Sequence, residues 1–84
     1  MEIRHEPDQD RFTLTEDDKE AVLEYRLDED TVDFHRTFVP EELRGRGLAR
    51  HLVDRGFAWA DEKGLRITAS CSYANKHLGD RRAR

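Results

Sequence analysis

Eighty-four residues, 36% hydrophobic and 40% charged, suit one domain over residues 1–84 with a thin core, and no apolar run approaches the ~20 residues of a membrane span. One cysteine excludes an intramolecular disulfide and the opening residues lack a signal-peptide core, so a reducing, cytoplasmic setting is expected. The net charge of −4 divides into −9 over residues 1–33 (thirteen acids, four bases) and +5 over residues 34–84 (six acids, eleven bases), which is unlike a uniformly basic nucleic-acid binder. That split suits one face for an anionic cofactor and another for a cationic, amine-bearing substrate.

In chain order, Ile3-Arg4-His5 reads as a short edge strand. Residues 11–15 alternate polar and apolar, as a half-buried strand does. Glu16-Asp17-Asp18 makes a polar turn without glycine. Residues 19–27 alternate again, with Ala21, Leu23, Tyr25 and Leu27 on one face and Val22 on the other. Asp28-Glu29-Asp30 turns the chain into a strand over residues 31–39. Period-two alternation there puts Val32, Phe34, Arg36 and Phe38 together, opposite Asp33, His35, Thr37 and Val39. Three strands joined by short polar turns predict an antiparallel meander.

The period then changes. Leu48, Leu52, Val53, Phe57 and Ala60 form an apolar stripe at helical spacing over residues 47–63, and Gly64 stands where a C-cap glycine belongs. Residues 65–71 read as a strand, with Leu65, Ile67, Ala69 and Cys71 facing one way. Strand, crossover helix and strand within about thirty residues predict a parallel βαβ end. A short helix is expected over residues 73–78, and residues 79–84 are expected to fray. The whole is an α+β fold: a mixed sheet, antiparallel and then parallel, with a long helix on one face.

Between the third strand and the helix lies Val39-Pro40-Glu41-Glu42-Leu43-Arg44-Gly45-Arg46-Gly47-Leu48-Ala49. Two glycines running into a helix N-terminus expose bare amides, and the helix dipole favours an anion there. Arg44, Arg46 and Arg50 add positive charge, with no acid between Leu43 and Val53. The same features also suit a glycine-punctuated turn before a surface helix. No Gly-Lys-Ser/Thr follows, which excludes a P-loop. His5, His35, His51 and His77 lack metal-ligand spacing, so no metal site is expected, although His35 or His51 could assist a proton transfer.

Arg44-x-x-Gly47-x-Ala49 resembles the Arg/Gln-x-x-Gly-x-Gly/Ala signature of the GNAT superfamily of N-acetyltransferases. With the preceding Val39-Pro40 and the downstream Ser70-Cys71-Ser72-Tyr73, the chain is similar to the minimal, single-cysteine GNAT-like branch. The resemblance implies that Leu43, Arg44, Gly45, Arg46, Gly47, Leu48 and Ala49 hold the pyrophosphate of acetyl-CoA. It also implies that backbone at Phe38 and Val39 pairs with the pantetheine arm, and that Cys71 lies beside the cofactor sulfur at the end of the last strand. Relatives of this kind commonly have histidine where Arg36 stands and proline where Ala69 stands. The helical pair that walls the acceptor side of larger members is missing, which implies an open acceptor side.

The chemistry that follows is transfer of an acyl group from acetyl-CoA to a primary amine, on a small molecule or on a protein lysine. Cys71 has three readings: an acyl-accepting nucleophile, a site wall, or a small buried residue. Tyr73 is a candidate acid for the leaving thiolate or a packing residue. A non-catalytic acyl-CoA-binding module and a small interaction domain are the alternatives. Nucleic acid would be met only by Arg81, Arg82 and Arg84, for which a disordered basic end is the plainer account. No membrane contact is expected, and the residues do not address oligomeric state.

Overall fold

The computed structural model describes residues 2–82. Strands β1 (Glu2–Glu6), β2 (Arg11–Glu16), β3 (Lys19–Asp28), β4 (Thr31–Phe38) and β5 (Arg66–Thr68) form one sheet in the order β1-β2-β3-β4-β5. The first four pair antiparallel, and β4 pairs parallel with β5. Helix α1 (Leu48–Glu62) crosses over β2 and β3 between β4 and β5, and α2 (Ser72–Arg82) packs against β4 and α1. The mixed α+β sheet expected from the patterning is therefore present, with β1 as its edge.

The turn between β2 and β3 uses Asp17 and Asp18 at φ of 51° and 62°. Both central residues of a tight hairpin of this hand need positive φ, and aspartate tolerates it better than most non-glycine residues. The core joins Phe12, Leu14, Leu23, Tyr25, Val32 and Phe34 of the sheet to Leu48, Leu52, Val53, Phe57 and Ala60 of α1, with Ala74 and Leu78 of α2. Gly56 lets α1 lie close on the sheet. A Cβ there would stand 2.8 Å from the Phe34 ring and 2.9 Å from Leu23 Cδ2.

Four expectations are corrected. The alternation drawn along β4 breaks at His35: Tyr25 lies opposite Phe34 but Glu24 lies opposite Arg36, which leaves His35 as an inserted residue on β4. A single insertion reverses every later side chain. His5, Phe12, Leu23 and Thr37 are register neighbours across four strands, so Thr37 faces the core side with buried Phe12 and Leu23. Arg36 and Phe38 turn to the other face, where Arg36 pairs with Glu24 at 3.3 Å and lies over the Phe38 ring.

The other corrections lie downstream. β5 is three residues long rather than seven, because the chain leaves the ladder after Thr68. Cys71 therefore stands not on a strand end but at the head of α2. That helix reaches Arg82, so Gly79, Asp80, Arg81 and Arg82 are helical rather than frayed, and residues 83 and 84 lie outside the described residues.

Candidate acyl-transfer site

The site is assembled where β4 and β5 part. Their parallel ladder covers only Thr31–Asp33 against Arg66–Thr68. Beyond it the Cys71 amide donates to the Phe34 carbonyl at 3.1 Å, and the two segments diverge around the His35 insertion. The far half of β4 leads through Val39 and Pro40 to a short 3-10 turn at Glu41–Leu43 and then to the glycine loop.

Gly45 and Gly47 adopt φ of +83° and +75°, and no atom lies within 4 Å of a Cβ built on either. Glycine is required here for the left-handed backbone, and the surface above it is bare. Gly47 is the N-cap of α1. No side chain bonds to the cap and the first turn holds no acid, so the leading amides of α1 remain available to a ligand. Val39, Leu43, Arg44, Gly45, Gly47, Leu48, Ala49 and Tyr73 line one cavity of about 280 Å³ at this point.

The arginines divide. Arg44 Nε donates to the Val39 carbonyl at 3.0 Å, which folds the loop back on the strand exit. Arg46 turns away to the β2–β3 hairpin, 2.7 Å from Asp17 and 3.9 Å from Glu16. Arg50 lies 3.9 Å from Asp54 one turn along α1. Phe38 and Arg46 are not among the residues lining the cavity. A larger hollow of about 640 Å³ lies between α1 and α2, lined by residues including Arg50, Asp54, Asp61, His77, Asp80 and Arg81. Its arginines are paired with two of its acids, Arg50 with Asp54 and Arg81 with Asp61, and it has no glycine backbone to meet a phosphate.

Cys71 caps α2: its carbonyl accepts the Asn75 amide at 2.8 Å. The Cys71 thiol donates to Thr37 Oγ1 at 3.4 Å. Burial pushes the thiol up, but hydrogen bonding with the Thr37 side chain and with the backbone of Ala74, Tyr73 and Thr37 outweighs it and holds Cys71 below the ordinary cysteine value. Tyr73 packs edge-on to His77 and is raised above the usual phenol value, chiefly by burial, so its hydroxyl keeps its proton at neutral pH.

The structure thus gathers seven of the expected loop and strand-exit residues with Tyr73 around one cavity. Cys71 stands two residues from Tyr73 and bonds to Thr37, two residues before Val39. Two residues escaped the sequence reading. Thr37 was hidden by the β4 insertion. Asp33, which ties β4 to the β5–α2 turn, carries no sequence signal because its partners lie 35 and 37 residues away. Among the described residues no group of three or more His, Cys, Asp or Glu side chains could hold a metal, and no helix is long and apolar enough to cross a membrane.

A sheet splayed between a parallel pair, with a glycine loop heading the crossover helix, defines a GNAT-like α+β fold. Residues 11–83 match the family model described as GCN5-related N-acetyl-transferase, and the chain belongs to that family. It is similar to protein NATD1 of Xenopus tropicalis, 37% identical over 59 residues that cover 69% of this chain and 54% of that protein. Protein NATD1 of Danio rerio is 29% identical over 81 residues, covering 93% of this chain and 74% of that one. The matched stretch thus spans between about half and three quarters of these relatives. A solution structure of a GCN5-like protein from Staphylococcus aureus superposes with a TM-score of 0.75 at 29% identity, covering 98% of this chain and 81% of that one.

Proposed function

We propose that the chain is an acetyl-CoA-dependent N-acyltransferase acting on a primary amine, on a small molecule or on a protein lysine, in the cytoplasm. The observation that carries this reading is the cavity bounded by Gly45, Gly47, Leu48, Ala49 and Tyr73 at the uncapped start of α1. The residues present fit the cofactor: bare glycine backbone and unpaired amides suit a pyrophosphate, and the apolar wall of Val39, Leu43 and Leu48 suits the arm beyond it. When bound, acetyl-CoA supplies an activated thioester.

The chain's own part is to hold and orient. Amides at the start of α1 meet the pyrophosphate, and Arg44 keeps the loop against the Val39 carbonyl. Tyr73 holds a proton at its hydroxyl for a departing thiolate. Thr37 and the first amides of α2 converge on the Cys71 sulfur, where they favour negative charge.

Calorimetric titration of the folded protein with acetyl-CoA, CoA and 3′-dephospho-CoA tests the reading. Micromolar binding is expected, and it is lost in Gly47→Glu, which places bulk and negative charge at the pyrophosphate. Gly47→Ala separates backbone strain from charge and retains measurable affinity. Unchanged affinity in a folded Gly47→Glu protein overturns the loop assignment. Binding without turnover on any amine leaves a binding module.

A further inference from the structure

We propose that Asp33 is a positioning residue for this site: it ends the β4–β5 ladder and ties down the turn that carries Cys71. The functional meaning of the proposal rests on the acyl-transfer reading, but its geometry does not. Asp33 is the last β4 residue in the parallel ladder, opposite Thr68. Its Oδ1 accepts the Thr68 hydroxyl at 2.8 Å and the Ser70 amide at 3.1 Å, and its Oδ2 accepts the Ser70 hydroxyl at 2.5 Å. Three donors from the end of β5 and the residue before Cys71 therefore converge on one carboxylate.

Had the ladder continued, the Ser70 amide would have met a β4 carbonyl. It meets the Asp33 side chain instead, and the next amide, that of Cys71, returns to the Phe34 carbonyl at 3.1 Å. The chain is thereby anchored on both sides of the Ser70–Cys71 peptide. Asn75 adds a bond from its side-chain amide to the Ala69 carbonyl at 3.1 Å. This anchoring starts α2 at a fixed place and puts the Cys71 sulfur 3.4 Å from Thr37 Oγ1. Burial opposes ionisation of Asp33, yet the bonds from Ser70 and Thr68, aided by His35, hold it below the ordinary carboxylate value.

The sign of the effect separates positioning from charge. Removing a nearby carboxylate without moving anything would lower the pKa of the thiol, because a like charge is lost. Releasing the turn would pull the sulfur from its donors and raise it. Because Cys71 is the sole cysteine, its alkylation by iodoacetamide as a function of pH reads the thiolate directly.

In Asp33→Ala the midpoint of that profile is expected to rise by about one pH unit, an approximately tenfold smaller thiolate fraction at neutral pH. Asp33→Asn keeps an acceptor for Thr68 and Ser70 and leaves the midpoint in place or lowers it. Ser70→Ala removes one of the three donors and shifts it upward by less. A profile unmoved or lowered in folded Asp33→Ala overturns the proposal. Should that variant fail to fold, Ser70→Ala decides, and an unmoved profile there overturns it equally. An acetyl-CoA titration of the unmodified protein is run alongside. Absence of binding there would remove the acyl-transfer reading without touching the thiol result.

Discussion

At Cys71 one sulfur meets two elements: its thiol donates to Thr37 Oγ1 on β4, and hydrogen bonding from the Thr37 backbone and the first amides of α2 favours its ionised form. This arrangement stabilises a thiolate and lies beside, not inside, the glycine-loop cavity. Cys71→Ala is therefore expected to leave acetyl-CoA affinity within a few-fold and to lower turnover. Wild-type turnover in that variant removes any catalytic part for the thiol. His5 shows the opposite use of a titratable group. It stacks on Phe12 at 4.2 Å, lies edge-on to Trp59 and shares a 2.7 Å hydrogen bond with the Tyr25 hydroxyl. Burial, then Arg55 and Lys63, hold it below its ordinary value of 6.5. The unfolded chain takes up that proton more readily, so stability present above pH 6.5 is lost as pH falls below it. Asp33, also depressed, adds a further loss only below its ordinary 3.8. His5→Gln, which cannot titrate but can still accept from Tyr25, should flatten the fall in melting temperature between pH 7 and pH 5.5. An undiminished fall would assign it to other groups.

Among the elements, α1 and β4 carry the site, and they differ in how far local pattern reveals them. The α1 stripe was legible because every apolar position at helical spacing meets the same core. Its close seat at Gly56 was not, since it depends on Phe34 and Leu23 from other strands. Gly56→Ala forces those side chains aside and should destabilise the fold by about 1–3 kcal/mol, read as a lower urea midpoint at constant m. No change in midpoint would show that the helix can lift freely. In β4 the period-two reading held through Phe34 and failed at His35, because an inserted residue has no signature in a single strand and is defined only by its partner, β3. Among the described residues of α2, Ala74 and Leu78 are the buried apolar ones, too few to mark the helix as far as Arg82. Arg81 helps hold that last turn by pairing with Asp61 and lying over the Phe57 ring.

Across the whole molecule, the acidic first part and the basic second part do not stand on separate faces at the loop. The β2–β3 hairpin tip is tethered to it, Arg46 to Asp17 and Glu16, and Lys19 to Glu42 at 3.5 Å. These pairs are exposed, and such pairs contribute little to stability, typically about 0–1 kcal/mol. Their consequence lies in the field around the loop, where Asp17 neutralises a cation that would otherwise face an anionic ligand. Asp17→Asn should leave the unfolding midpoint nearly unchanged and tighten acetyl-CoA binding at low salt, with the gain vanishing at high salt as screening removes it. A salt-independent gain, or none, would show that the Arg46 charge does not reach the ligand.

Sequence alone determined the order and kind of most elements, the glycine loop before α1 and the resemblance that named its family, because periodicity, turn residues and a six-residue signature are local properties. Tertiary structure decided what depends on a second segment. The partner strand β3 revealed the insertion that turns Thr37 toward Cys71. Asp33 ended β5 early by bonding to residues 35 and 37 positions away, and the hairpin took Arg46 from the loop. Each of these is a contact between distant residues, and no local pattern encodes which distant residue will arrive.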